Sequence, residues 1–86
     1  MSSSAALQSA VRDALKAQGR LSVDAMTLDP AANLYEAGMT SHCSVNVMLT
    51  LEGRFDLEFP DHMLTRETFA SIQNIANALQ AIGAQA

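Results

Sequence analysis

Apolar residues recur at three- and four-residue intervals in three stretches of this chain, and each stretch reads as an amphipathic helix. In the first, from about Ala5 to Gln18, the residues Leu7, Val11, Ala14 and Leu15 share one face. Ser3 or Ser4 can cap its start, Lys16 suits its last turn and Gly19 can end it. The next helix runs from Ser41 or His42 to about Arg54. Val45, Met48, Leu49, Glu52 and Phe55 fall in register along it, and Leu51 widens the stripe. In the last, Phe69 to Ala81, the stripe is Phe69, Ile72, Ile75, Ala76, Leu79 and Ile82, with Thr68 as cap and Gly83 as stop.

The segments between the helices are unequal. Residues 20–40 form a long irregular connection containing Pro30 and Gly38, yet Leu21, Val23, Met26, Leu28 and Leu34 are spread along it. A connection of that length in a small domain is commonly functional, and its apolar residues predict that it packs against the helices. Phe55-Asp56-Leu57-Glu58-Phe59 alternates like a strand. With no second strand to pair with, its backbone groups would go unsatisfied, so it reads as an extended, buried loop. Pro60 and Asp61 open a short third helix or turn through about Leu64. The predicted fold is all-α: a small four-helix bundle with a long loop between helices 1 and 2 and a short third helix. One domain over residues 1–86 is expected, its ordered core at about 5–82.

Charge and composition narrow the function. Residues 1–40 carry four acids against three bases and residues 41–86 five against two, giving a net charge of −4. That balance argues against a nucleic-acid surface, which needs a basic face. No apolar run is long enough to span a membrane, and the opening Met1-Ser2-Ser3-Ser4 lacks the basic and greasy segments of a secretory signal. The single cysteine fits a reducing compartment, and the expected location is the cytoplasm. His42, Cys43 and His62 match no zinc spacing, so no metal site is expected.

The chemistry concentrates at Gly38-Met39-Thr40-Ser41-His42-Cys43-Ser44. Gly38 supplies freedom for a turn, and Thr40 or Ser41 can cap the helix that follows. A hydroxyl there sits at the positive end of a helix, where N–H groups favour phosphate. Taken alone, a serine at such a place is most often a plain cap. Ser41-His42-Cys43 does not make a nucleophile and its base, because successive helical residues point roughly 100° apart. No catalytic residue is assigned.

The segment from Leu34 to Leu79 resembles the acyl carrier protein family. The resemblance lies in Leu34-Tyr35-Glu36-Ala37-Gly38 before the serine and in the spacing from Ser41 to Phe55. It continues in Phe55-Asp56-Leu57-Glu58-Phe59-Pro60 and Thr68-Phe69-Ala70-Ser71-Ile72. It implies that Ser41 carries a 4′-phosphopantetheine arm, moved from coenzyme A by a phosphopantetheinyl transferase, with cargo held as a thioester on the arm's thiol. The protein would then be a substrate and shuttle rather than a catalyst. Many members have Asp before the serine and Leu after it, where this chain has Thr40 and His42. Glu52 is the only acid of the second helix, unlike the several of fatty-acid carriers.

Leu34 to Ser41 and Phe59-Pro60-Asp61-His62-Met63-Leu64-Thr65-Arg66 are most similar to one subgroup, the stand-alone bacterial aminoacyl carriers. These are loaded with small amino acids by ATP-dependent amino acid:[carrier protein] ligases and pass them to a downstream acceptor enzyme. A discrete acyl or peptidyl carrier of a polyketide or nonribosomal peptide pathway, or an unmodified helical interaction module, are the alternatives. Partner contact is expected at Met39, Thr40, His42, Cys43, Asn46 and Val47, with the protein a monomer. Val45, Leu49, Phe59, Ile72 and Ala76 could line a shelter for an acyl chain, but tight packing is expected for a small cargo.

Overall fold

The computed structural model describes residues 2–84. Helix α1 spans Ser2–Gln18, α2 spans Ser41–Phe55 and α3 spans Ile72–Ala81; a single 3-10 turn at Asp61–Met63 lies between α2 and α3. Among the described residues there is no strand. The all-α expectation holds, whereas the predicted short third helix is only this one turn. Pro60 precedes it in extended backbone, and Leu64, directly after its three residues, has left helical geometry.

α1 buries Leu7, Ala10, Val11, Ala14 and Leu15, which is the predicted face, and packs against both α2 and α3. It begins at Ser2, so Ser3 and Ser4 fall inside its first turn rather than at its cap. Its end falls at Gln18, as expected, with Gly19 the first residue beyond it. The Gly19 N–H donates to the Leu15 carbonyl at 2.8 Å, and the left-handed residue that redirects the chain is Arg20, with φ 54°.

α3 starts three residues later than its sequence signal indicated. The Ser71 hydroxyl accepts the Asn74 N–H at 3.0 Å and is the true cap. The Thr68 hydroxyl instead meets that of Thr65 at 2.9 Å. Phe69 lies in the turns ahead of α3, where its N–H reaches the Arg66 carbonyl at 3.2 Å. Its ring packs 5.4 Å from that of Phe59. Both phenylalanines are buried, each contributing about 1.5–3 kcal/mol of apolar transfer.

The strand-like stretch after α2 is a loop. Asp56 ends the helix in left-handed conformation at φ 55°, and the Leu57 N–H joins it on the Glu52 carbonyl at 3.2 Å. The Glu52 carboxylate then accepts the Phe59 N–H at 2.9 Å. One residue thus satisfies this loop from both its backbone and its side chain. Phe59 is buried as expected; Leu57 is half-buried.

The long connection is strapped to the helices. Arg12 on α1 donates to the carbonyls of Ala25 at 2.8 Å and Leu28 at 2.7 Å. The Leu34 N–H donates to the Ala70 carbonyl at 2.7 Å, and the Gln73 N–H to that of Pro30 at 2.9 Å. Leu34 is fully buried. The segment that leads into α2 is therefore fixed by α1 on one side and by the start of α3 on the other.

Candidate functional site

The approach to Ser41 is built residue by residue. The Asn33 side-chain carbonyl accepts the N–H groups of Tyr35 and Glu36 at 2.9 and 3.1 Å, turning the chain at Leu34. Gly38 then adopts φ +115°, a conformation costly for any residue with a Cβ, and a Cβ there would approach the Ser22 nitrogen to 3.2 Å. The Met39 N–H returns to the Leu34 carbonyl at 3.0 Å, and its side chain enters the core at 3% exposure. Thr40 is extended, with φ −89° and ψ 168°. Its hydroxyl accepts the Cys43 N–H at 3.1 Å.

Ser41 is the first residue of α2, and it is exposed. Of the two capping candidates Thr40 holds the position, so Ser41 is not needed for it. Among the described residues the Ser41 hydroxyl has no hydrogen-bond partner; its carbonyl accepts the Ser44 hydroxyl at 2.6 Å. A cleft of about 320 Å³ opens beside it, lined by Ser41, Ser44, Val45 and Met48 from α2, by Leu64, Thr65, Arg66 and Phe69 from the segment before α3, and by Tyr35. This cleft was not legible as such in the sequence. It differs from the conceivable acyl shelter: Val45 and Leu49 face solvent at 49% and 54% exposure, while Phe59, Ile72 and Ala76 are packed inside.

The phase of α2 corrects the expected partner surface. Its buried residues are Cys43, Ser44, Val47 and Leu51. Met39, Cys43 and Val47 therefore belong to the core, not to a contact face. Thr40 and His42 are exposed and Asn46 is half-buried, as a surface role requires. Cys43 points inward while its neighbours Ser41 and His42 are exposed, so the three do not converge as a catalytic set. Among the described residues no group of His, Cys, Asp and Glu could hold a metal ion. Among the described residues no helix is long and apolar enough to cross a membrane.

This geometry fits a phosphorylated prosthetic arm. It offers a free primary alcohol at the positive end of a helix, N–H groups that a first turn leaves without intrahelical partners, and an adjoining cleft. A profile of the family described as "Phosphopantetheine attachment site" matches residues 5–79. The chain belongs to that family. The carrier is 40% identical over 76 residues to the aminoacyl carrier protein of Agrobacterium fabrum, covering 88% of this chain and 92% of that protein. It is 37% identical over 60 residues to aminoacyl carrier protein 1 of Bradyrhizobium diazoefficiens, 67% of each chain.

Solved structures agree. One is an engineered Bradyrhizobium japonicum glycine:[carrier protein] ligase complexed with carrier protein from Agrobacterium tumefaciens and ATP. There the matched chain has a TM-score of 0.84 at 39% identity, over 88% of this chain and 99% of that one. Another is the Bradyrhizobium japonicum ligase complexed with glycylated carrier protein, with a TM-score of 0.65 at 27% identity over 91% and 99% of the two chains. The carrier's cofactor is covalent 4′-phosphopantetheine, and the protein is not itself a catalyst.

Proposed function

We propose that Ser41 is the attachment point of the arm and that this carrier holds a small amino acid on it as a thioester. Loading would come from an ATP-dependent amino acid:[carrier protein] ligase, and a downstream enzyme would accept the cargo. The observation that carries this reading is the Ser41 hydroxyl itself: exposed, beside a cleft, and without a role in capping its helix. The relatives' names and the ligase complexes support the aminoacyl cargo.

The proposed docking face is the solvent side of early α2, with Thr40, His42, Val45, Asn46 and Leu49. The 3-10 turn at Asp61–Met63 takes the place of the third helix of an acyl-carrier bundle. The carrier acts as a cytoplasmic monomer with one domain over residues 1–86.

The test is intact mass after incubation with coenzyme A and a phosphopantetheinyl transferase. The wild type gains one phosphopantetheine and Ser41→Ala gains none. An armed Ser41→Ala protein overturns the attachment site, and a wild type left bare by several transferases overturns the carrier reading. Incubating the armed protein with ATP, amino acids and the ligase then identifies the cargo.

A further inference from the structure

Among the residues lining the cleft beside Ser41, Arg66 alone carries a charge. Its guanidinium carbon lies 3.9 Å from the centroid of the Tyr35 ring. A guanidinium stacked on an aromatic face is held flat, and its N–H donors remain available in its plane. Among the described residues no carboxylate pairs with it. The backbone beneath it is tied down as well. Its carbonyl accepts the Tyr35 hydroxyl at 3.2 Å and the Phe69 N–H at 3.2 Å, and Thr65 next to it accepts the Thr68 N–H at 3.2 Å. A cation without a carboxylate partner is thus held in place over a ring, in the same cleft as the proposed attachment oxygen.

We infer that Arg66 is the positioning residue for the arm. It pairs with the phosphodiester formed on Ser41 and lays the branched dimethyl segment that follows against Val45, Met48 and Leu64. This rests on Ser41 as the attachment point. The chemistry of the lining matches that of the arm. An anion leaves Ser41 and meets a guanidinium, which pairs with phosphate oxygens through two parallel N–H donors. One methylene beyond the phosphate the arm has a carbon bearing two methyl groups, and Val45 and Leu64 are large apolar side chains left about half exposed. The volume of about 320 Å³ is near the lower end of small-molecule clefts, about 300–1,000 Å³. That is room enough for the phosphate and the branched segment.

The experiment is NMR of the armed protein carrying isotope-labelled pantetheine, with loading at Ser41 first verified by mass. In the wild type, cross-relaxation is expected between the arm's methyl groups and those of Met48 and Leu64, together with a shift of the Arg66 side-chain N–H on loading. In Arg66→Gln, loaded to the same mass and with an unchanged amide spectrum away from residues 64–69, the arm contacts are lost. Tyr35→Leu, which keeps the charge but removes the ring that orients it, weakens them. Contacts that persist in Arg66→Gln, or that are absent from the armed wild type, overturn the inference and leave Ser41 as the attachment point. A wild type that gains no mass at Ser41 refutes the attachment reading instead.

Discussion

The Thr40 hydroxyl accepts the Cys43 N–H at 3.1 Å and thereby caps α2 in place of Ser41. Holding the helix and bearing the arm are divided between two adjacent residues. Thr40→Ala should therefore cost about 1 kcal/mol, lowering Tm by roughly 4–8 °C in a domain of this size. Thr40→Asp keeps a capping oxygen and adds charge favourable to the helix start, so it holds or raises stability. Ser41→Ala should stay within about 0.5 kcal/mol of wild type. Thermal unfolding of the three variants checks the division; a Ser41→Ala loss as large as that of Thr40→Ala would refute it.

Val47 and Leu49 sit two residues apart on α2 and should behave oppositely. Val47 is fully buried and Leu49 is 54% exposed. Val47→Ala is expected to destabilise by about 2 kcal/mol through lost burial and a residual cavity. Leu49→Glu should leave stability within about 0.5 kcal/mol and weaken binding to the loading ligase. Urea titration alongside a ligase dissociation constant separates the two effects.

Arg12 reaches from α1 to the carbonyls of Ala25 and Leu28. Arg12→Met keeps the apolar stem and removes both donations, which are charge-assisted. A loss of about 2 kcal/mol is expected, with faster amide exchange in residues 24–29. Arming of the carrier, measured on the folded fraction by mass, should be unchanged.

Glu52 holds the loop after α2 through the Phe59 N–H. Glu52→Ala leaves that donor without its partner at a cost of about 1–3 kcal/mol. Glu52→Gln retains an acceptor oxygen and should lose less. Denaturation midpoints rank the two, and equal losses would mean that the hydrogen bond contributes nothing.

Much of this fold was legible in the sequence because several signals coincided. Gly38, a capping hydroxyl at 40 or 41 and an apolar run placed the head of α2, and Leu7, Val11, Ala14 and Leu15 oriented α1. The phase of α2 was not legible. Apolar residues occur nearly all round it, so Val45, Met48, Leu49 and Phe55 offered a stripe as regular as the one that is buried, Cys43, Val47 and Leu51. Only packing against α1 decides between them. The start of α3 was ambiguous because Thr68 and Ser71 are both hydroxyl residues leading into apolar sequence, and Thr65 engages the first. Arg66 and Tyr35 gave no sequence signal as a pair, since 31 positions separate them and only the tertiary fold stacks them.

Cys43 is the chain's single cysteine, and it packs into the core at 5% exposure. Its sulfur is hidden two residues from the proposed anchor of an arm that ends in another. A thiol reagent applied to the folded, armed protein therefore meets the arm's sulfur first. With the arm's thiol free of cargo, oxidation in air should join two such proteins tip to tip, as a disulfide-linked pair that a reductant separates without disturbing either fold.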